Sequence, residues 1–315
     1  MRNVLVTGGA GFIGSTLVDA LCQRTDCERI VVVDSLTTGH QGNLSDASEV
    51  EFRECDIRDY DRLRELFKDI DIVFHQAAIP SVPRSIDEPD FCFGVNVDGT
   101  FNVMRAAVEN KVRRIVFASS SAVYGDSPAL PKVEDMLPEP QSPYGAHKLA
   151  GEHLLKTAQE SYGIETVSLR YFNVFGPRQD PSSSYSGVLS IFAQRSLDQT
   201  PPTIHGDGEQ SRDFIFVDDI VRLNILAAET PDAAGRVFNG GCGEGVSLNR
   251  AWNAMQTAAG AGLEAVHGPD RTGDVRHSRA DISAAREVLG FEPEVDFEQG
   301  VRRTLRWYAA QQNTD

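Results

Sequence analysis

The segment Thr7-Gly-Gly-Ala-Gly-Phe-Ile-Gly14 constrains this chain most, because it joins an apolar run, Asn3–Thr7, directly to an amphipathic one, Ser15–Gln23. Gly8, Gly11 and Gly14 lack a Cβ and so allow, in order, a tight turn, close approach of the backbone to a pyrophosphate, and close packing of helix on strand. Phe12 and Ile13, inside the turn, are assigned to the same site. Asp34 lies twenty residues beyond Gly14, at the end of the next apolar run, where a carboxylate can accept both ribose hydroxyls of an adenosine. No arginine immediately follows it to greet a 2′-phosphate, which favours NAD over NADP. Asp56 and Ile57, after the expected third strand, are placed to hold adenine.

The same alternation continues through the first half. Short apolar runs (Val4–Val6, Ile30–Val33, Ile72–His75, Ile115–Ala118, Thr166–Tyr171) are separated by amphipathic stretches (Ser15–Gln23, Asp61–Phe67, Val97–Glu109, Tyr144–Tyr162). That pattern predicts an α/β protein with a Rossmann-type doubly wound parallel sheet. After Arg170 the regularity fails: Asn173–Ser186 is rich in Pro, Ser and Gly, and Asn239–Ser247 is loose again. Asp213–Ala228 restores a strand-helix pattern, and Asp281–Leu289 and Phe297–Ala310 read as helices. The expected division is an NAD-binding domain over 1–170, with 213–236 folding back onto it, and a smaller mixed α/β substrate domain over most of 171–315.

Composition narrows the function classes. A formal charge of −16 argues against a nucleic-acid surface. No run of about eighteen apolar residues predicts a membrane span. Five cysteines form no disulfide framework, and Cys22 and Cys27 stand at no zinc spacing with a histidine, so no metal is expected. With a strand rather than an export signal at the N-terminus, a reducing cytoplasmic location is the natural expectation.

A second motif concerns chemistry. In Ser142-Pro-Tyr-Gly-Ala-His-Lys148 the serine can cap a helix and the proline can be its first residue, which puts Tyr144 in the first turn. Lys148 is four residues on and shares its face. A cation beside the phenol and the positive end of the helix dipole both favour phenolate, so the tyrosine pKa is expected to fall.

Taken in order, Thr7–Gly14, Asp34, Ser119–Gly125 and Tyr144/Lys148 make the chain resemble the extended short-chain dehydrogenase/reductase family over nearly its whole length. Within that family it is most similar to nucleotide-sugar 4-epimerases of the UDP-glucose and UDP-N-acetylglucosamine type. The segments Asn96–Thr100, Arg170–Arg178, Gly206–Asp213 and Arg271–Val275 carry this finer likeness. The resemblance implies Tyr144 as catalytic base, Lys148 as its tuning cation and a holder of nicotinamide-ribose hydroxyls, and Ser120 as the catalytic serine. Ser121 would support substrate hydroxyls, and Gln76, Ala77, Ala78 and Asn96 would line the cofactor. Asn173, Arg212 and Arg271 would grip the sugar nucleotide, the two guanidiniums on its diphosphate.

The implied reaction is reversible inversion at C4 of a UDP-hexose through a 4-keto sugar. Related sugar dehydratases carry an Asp-Glu pair directly after the catalytic hydroxyl residue; here Ser121 and Ala122 stand there, so elimination lacks its acid and base. Ser278 occupies the position that gates pocket volume, and its small size implies room for a 2-acetamido group. A UDP-glucuronate 4-epimerase is the runner-up, and a non-catalytic NAD-binding sensor a more distant one. A homodimer is implied too, pairing helices around Val97–Glu109 and Gly145–Tyr162 through apolar residues such as Phe101, Met104, Leu149 and Leu154.

Overall fold

A computed structural model describes residues 1–181, 187–270 and 275–312. Its centre is a seven-stranded, all-parallel sheet. Six strands come from the first half: β1 (Asn3–Thr7), β2 (Arg29–Asp34), β3 (Val50–Glu54), β4 (Ile72–His75), β5 (Arg114–Ser120) and β6 (Glu165–Tyr171). Four further short strands follow, β7 (Asn173–Phe175), β8 (Thr203–His205), β9 (Ser211–Arg212) and β10 (Phe214–Phe216), and then β11 (Val237–Gly240), which completes the sheet. The order is β3-β2-β1-β4-β5-β6-β11. The chain reverses direction across the sheet between β1 and β4, and the crevice at such a switch point opens at the carboxyl ends of the strands.

Near-continuous Val/Ile runs cover both sheet faces because both are buried. One face packs under α1 (Phe12–Cys22) and a helix of the second half, Val217–Glu229, through Val4, Val6, Val32, Phe74 and Ile220. The other packs under α2 (Tyr60–Leu66), α5 (Gly99–Glu109) and α6 (Pro143–Tyr162) through Leu5, Val31, Val73, Phe117 and Leu155. Between α2 and α5 lie the short α3 (Val82–Asp87) and α4 (Pro89–Phe93). The helix Val217–Glu229 is α8, preceded by α7 (Val188–Leu197) and followed by α9 (Leu248–Ala259), α10 (Ser283–Leu289) and α11 (Phe297–Gln312).

The second half thus gives α8 and β11 to the central layer and keeps a separate aromatic core of Phe175, Phe192, Phe214, Phe216, Trp252 and Phe297. Its strands are two- and three-residue pairs, β7 with β10, β9 with β12 (Val246–Ser247) and β8 with β13 (Val266–Gly268). Met104, expected on an outer helix face, is instead buried in the sheet core, because α5 turns that side onto the strands; Phe101 remains exposed. Leu149 and Leu154 are partly buried against their own chain. Among the described residues no helix is long and apolar enough to cross a membrane.

Candidate active site

The glycine turn sits at the carboxyl end of β1. Gly8 has φ +67°, and a Cβ there would lie 2.7 Å from the backbone of Ala77, so the turn rests directly on the chain leaving β4. A Cβ on Gly11 would meet only the Gly8 carbonyl, at 3.2 Å, and otherwise project into open space. Helix α1 begins after Gly11 with no capping side chain and no acid in its first turn, so the positive end of its dipole faces that space. Asp34 stands beside it: Oδ2 accepts from the Ala10 amide at 3.0 Å and Oδ1 from the Leu36 amide at 2.8 Å. Each oxygen keeps a lone pair for a ribose hydroxyl. Leu36 is held at φ +56°, a conformation uncommon for a branched residue, as the chain bends around this carboxylate. An open amide-lined cradle with a fixed carboxylate at its edge, and no arginine after it, fits NAD.

The other cofactor candidates divide into two groups. Asp56 is tied to Arg58 by an ion pair at 2.6 Å, which holds its carboxyl below the usual range, and Ile57 is buried against Gly99. The Ala77 amide donates to Thr7 Oγ1 at 3.3 Å, and Ala78 follows it, part-buried, along the same edge. Gln76 and Asn96 spend their amides within the protein. Gln76 Nε2 donates to Tyr171 Oη at 3.1 Å and Asn224 Oδ1 at 3.0 Å, beneath α8. Asn96, in a π-helical turn, accepts from the Ile79 amide at 2.8 Å and donates to the Ile79 carbonyl at 3.2 Å. Both side chains fix the loop after β4.

The catalytic candidates meet where α6 crosses the end of β5. Ser142 caps the helix, its Oγ accepting from the Gly145 amide at 3.1 Å, and Pro143 starts it. Tyr144, Lys148 and Glu152 then share one face at four-residue steps, and the three last residues of β5 receive them. The Ser120 hydroxyl stands beside the Tyr144 phenol and favours its charged form, Lys148 Nζ donates to the Ala118 carbonyl at 2.7 Å, and Ser119 Oγ donates to Glu152. Ser120 Oγ also accepts from the Ala122 amide at 3.2 Å, and the half-buried Ser121 begins that turn. The Tyr144 amide donates to Ser85 Oγ at 3.1 Å, which fixes the start of the helix.

Here the structure corrects one expectation. The Tyr144 pKa is not lowered but raised to about 12, because burial penalises phenolate more than the neighbouring Ser120 hydroxyl favours it. Lys148, buried as well, has its pKa lowered to about 7 by the same desolvation, with the Glu152 carboxylate opposing the fall. His75, between Thr7 Oγ1 at 2.7 Å and Thr100 Oγ1 at 2.9 Å, is held neutral by burial and stacks on Phe117.

In the second half, Asn173 opens β7 and Arg212 ends β9, its Nη1 donating to the Ser211 carbonyl at 2.9 Å. Ser278 is half-buried and joined to the same strand, its amide donating to the Ser211 carbonyl at 3.1 Å. Arg271 lies outside the described residues, as does 182–186 within the Gln179–Gly187 segment.

Sequence reasoning passed over two buried groups. Glu152 and Arg170 form an ion pair at 2.8 Å with both side chains enclosed, and Arg170 sits across from Ser119 in the β5–β6 register. Asp213, wholly buried, is bound by three backbone amides. The spacing of Glu152, four residues after Lys148, was a usable signal for the first. The second closes the Gly206–Asp213 segment that carries the family likeness, but nothing local in sequence marks its amide partners.

A sequence profile described as the NAD dependent epimerase/dehydratase family matches residues 4–241. A UDP-glucose 4-epimerase of Mycolicibacterium smegmatis is 42% identical over 310 residues, covering 96% of this chain and 97% of that protein. The solved UDP-N-acetylglucosamine 4-epimerase of Methanobrevibacter ruminantium M1, in complex with UDP-N-acetylmuramic acid, is similar at a TM-score of 0.94 and 40% identity, covering 98% and 99% of the two chains. The UDP-glucose 4-epimerase of Thermus thermophilus, solved with NAD, gives a TM-score of 0.89 at 37% identity, covering 98% and 99%.

Proposed function

We propose that this chain, which belongs to the NAD dependent epimerase/dehydratase family, reversibly inverts C4 of UDP-hexoses, interconverting UDP-glucose with UDP-galactose and accepting their N-acetylated forms. The observation that carries this reading is the register of α6 on β5, which sets Tyr144 against Ser120 and Lys148 behind them, in a chain similar end to end to named UDP-sugar 4-epimerases.

NAD, when bound, supplies reversible hydride chemistry at the sugar carbon and a positively charged ring. The amides of Phe12 and Ile13 and the Asp34 carboxylate would hold its pyrophosphate and ribose, with Asp56 and Ile57 at the adenine. The chain's own chemistry is at oxygen. Tyr144 Oη takes the proton of the sugar 4-hydroxyl and later returns it, while Ser120 Oγ hydrogen-bonds the same oxygen. With its phenol at about 12, Tyr144 needs positive charge to ionise, and the Lys148 ammonium is the protein's source of it. Ser121 and Ala122 place no carboxylate beside this pair, which leaves it one hydroxyl to handle. Arg212 and Arg271 take the nucleotide diphosphate, Asn173 touches the sugar nucleotide, and Ser278 leaves room for a 2-acetamido group.

The working division is NAD binding by 1–170 with 213–236, and sugar-nucleotide binding by most of 171–315. A homodimer would cover the exposed Ile86 and Phe93 of α3 and α4 together with Phe101 of α5. The five free thiols suit a reducing cytoplasm. Purified protein mixed with UDP-galactose and no added NAD should form UDP-glucose, with parallel reactions on UDP-N-acetylglucosamine and UDP-glucuronate setting the sugar preference. A sensor would interconvert none of them, and a dehydrogenase would consume added cofactor in proportion to product.

A further inference from the structure

The substrate-side candidates lie on three separate segments, each a very short strand or an irregular stretch. Asn173 is on β7, Arg212 on the two-residue β9, and Ser278 in an extended stretch before α10. A single buried residue joins all three. The Asp213 carbonyl accepts from the Asn173 amide at 2.9 Å and from Asn173 Nδ2 at 3.3 Å. Its carboxylate reaches the other way: Oδ1 accepts from the Cys242 amide at 2.7 Å, and Oδ2 from the amides of Gly243 at 2.9 Å and Ala280 at 3.0 Å. Arg212 is its chain neighbour, and Ser278 is two residues before Ala280.

The far edge of the 279–281 stretch is zipped to the first half by main-chain bonds to Lys132, at 2.8 Å each way. On its near edge, Asp213 is the one side chain among the described residues that accepts from this stretch's backbone. Gly241 is packed around it: a Cβ there would lie 3.0 Å from Asp213 Oδ2 and 2.8 Å from the Ala280 side chain. Three N–H donors converging on one carboxylate demand an acceptor on both oxygens. The isosteric amide cannot supply this, because its NH2 would face an N–H. Burial raises the Asp213 pKa to about 6, so the charge is kept there against a desolvation penalty.

We infer that Asp213 is a positioning residue for the substrate: it fixes the 241–243 loop and the 278–280 stretch against β9, and so sets where Arg212 and Ser278 meet a UDP-sugar, without touching the reacting atoms. This rests on the UDP-sugar reading above.

The test uses Asp213→Asn and a matched control, Asp219→Asn. Asp219 is equally buried and also accepts two backbone amides, from Glu294 at 2.9 Å and Val295 at 3.1 Å, but ties α8 to the segment before α11. Both variants should unfold at lower temperature. Only Asp213→Asn should raise the KM for UDP-galactose, by roughly tenfold or more, with kcat within about threefold and the NAD content of the purified protein unchanged. Gly241→Ala, which crowds the same carboxylate and keeps its charge, should raise KM in the same sense and decides the matter if Asp213→Asn is insoluble. An unchanged KM in the soluble variants, or a KM rise of equal size in Asp219→Asn, overturns the inference. Wild-type protein that converts no UDP-sugar would instead overturn the reading on which it rests.

Discussion

The catalytic candidates and the substrate candidates are held in place by opposite means. On the catalytic side a twenty-residue helix lies along a seven-residue strand, and Tyr144, Lys148 and Glu152 each engage the last residues of that strand. Side chains make those contacts, and regular backbone on both partners sets their spacing. On the substrate side the strands are two or three residues long, and position comes from backbone amides gathered onto one carboxylate. Helices and strands hold groups more precisely than loops, so the function proposed above puts the reacting atoms on the first kind of frame and the sugar-nucleotide contacts on the second. Variants on the catalytic side should therefore change kcat, and variants on the substrate side KM or sugar preference.

The largest expected effect comes from Tyr144→Phe. Removing the proton acceptor while keeping the ring should lower kcat by about a thousandfold or more, with KM for UDP-galactose little changed, as initial-rate kinetics would show. A fall in affinity instead would place Tyr144 on the wrong side of the comparison.

Next is Glu152→Gln. It leaves the buried Arg170 guanidinium without its carboxylate, a loss of about 3–5 kcal/mol, seen as a markedly lower denaturation midpoint in urea. Because Glu152 also favours the charged form of Lys148, the pH at which turnover loses its lysine ammonium should move down.

Lys148 gives a smaller, signed effect on stability. Its folded pKa of about 7 lies below the ordinary lysine value of 10.5, so between these pH values the unfolded chain binds more protons than the native one. Stability from this group therefore rises as pH increases from about 7 toward 10 and is lost again on acidification. Lys148→Met should remove that slope: the difference in melting temperature between wild type and variant should shift toward wild type across the same interval. A pH-independent difference would show that Lys148 is not desolvated as described.

The smallest effect is one of selectivity. Ser278→Tyr should reduce turnover of UDP-N-acetylglucosamine by about tenfold or more relative to UDP-glucose, since a bulky ring fills the space of an acetamido group. Equal turnover of both would remove Ser278 from the gate.

What could be seen in sequence follows the same divide. The glycine turn, the strand-helix alternation and the Ser142 cap are local patterns, and residues a few positions apart fix them. Tyr144 and Lys148 share a helix face for the same local reason. The direction of the Tyr144 shift was not legible, because it depends on how much protein closes over the phenol, and burial is set by β5 and α3 rather than by Lys148. Gln76 and Asn96 could be placed near the cofactor by their position after β4, but their side-chain bonds to Tyr171, Asn224 and Ile79 come from the tertiary fold. Asp213 was the least visible, since its amide partners Cys242, Gly243 and Ala280 lie 29, 30 and 67 residues away along the chain.

The most direct measurement of the central claim is conversion of UDP-galactose in D2O by the purified protein with no added NAD, followed by NMR of the UDP-glucose formed. A tyrosine that exchanges only the oxygen-bound proton, beside a cofactor that stays bound, predicts full conversion to equilibrium with protium retained at C4. Deuterium at C4, or a requirement for stoichiometric added NAD, would contradict it.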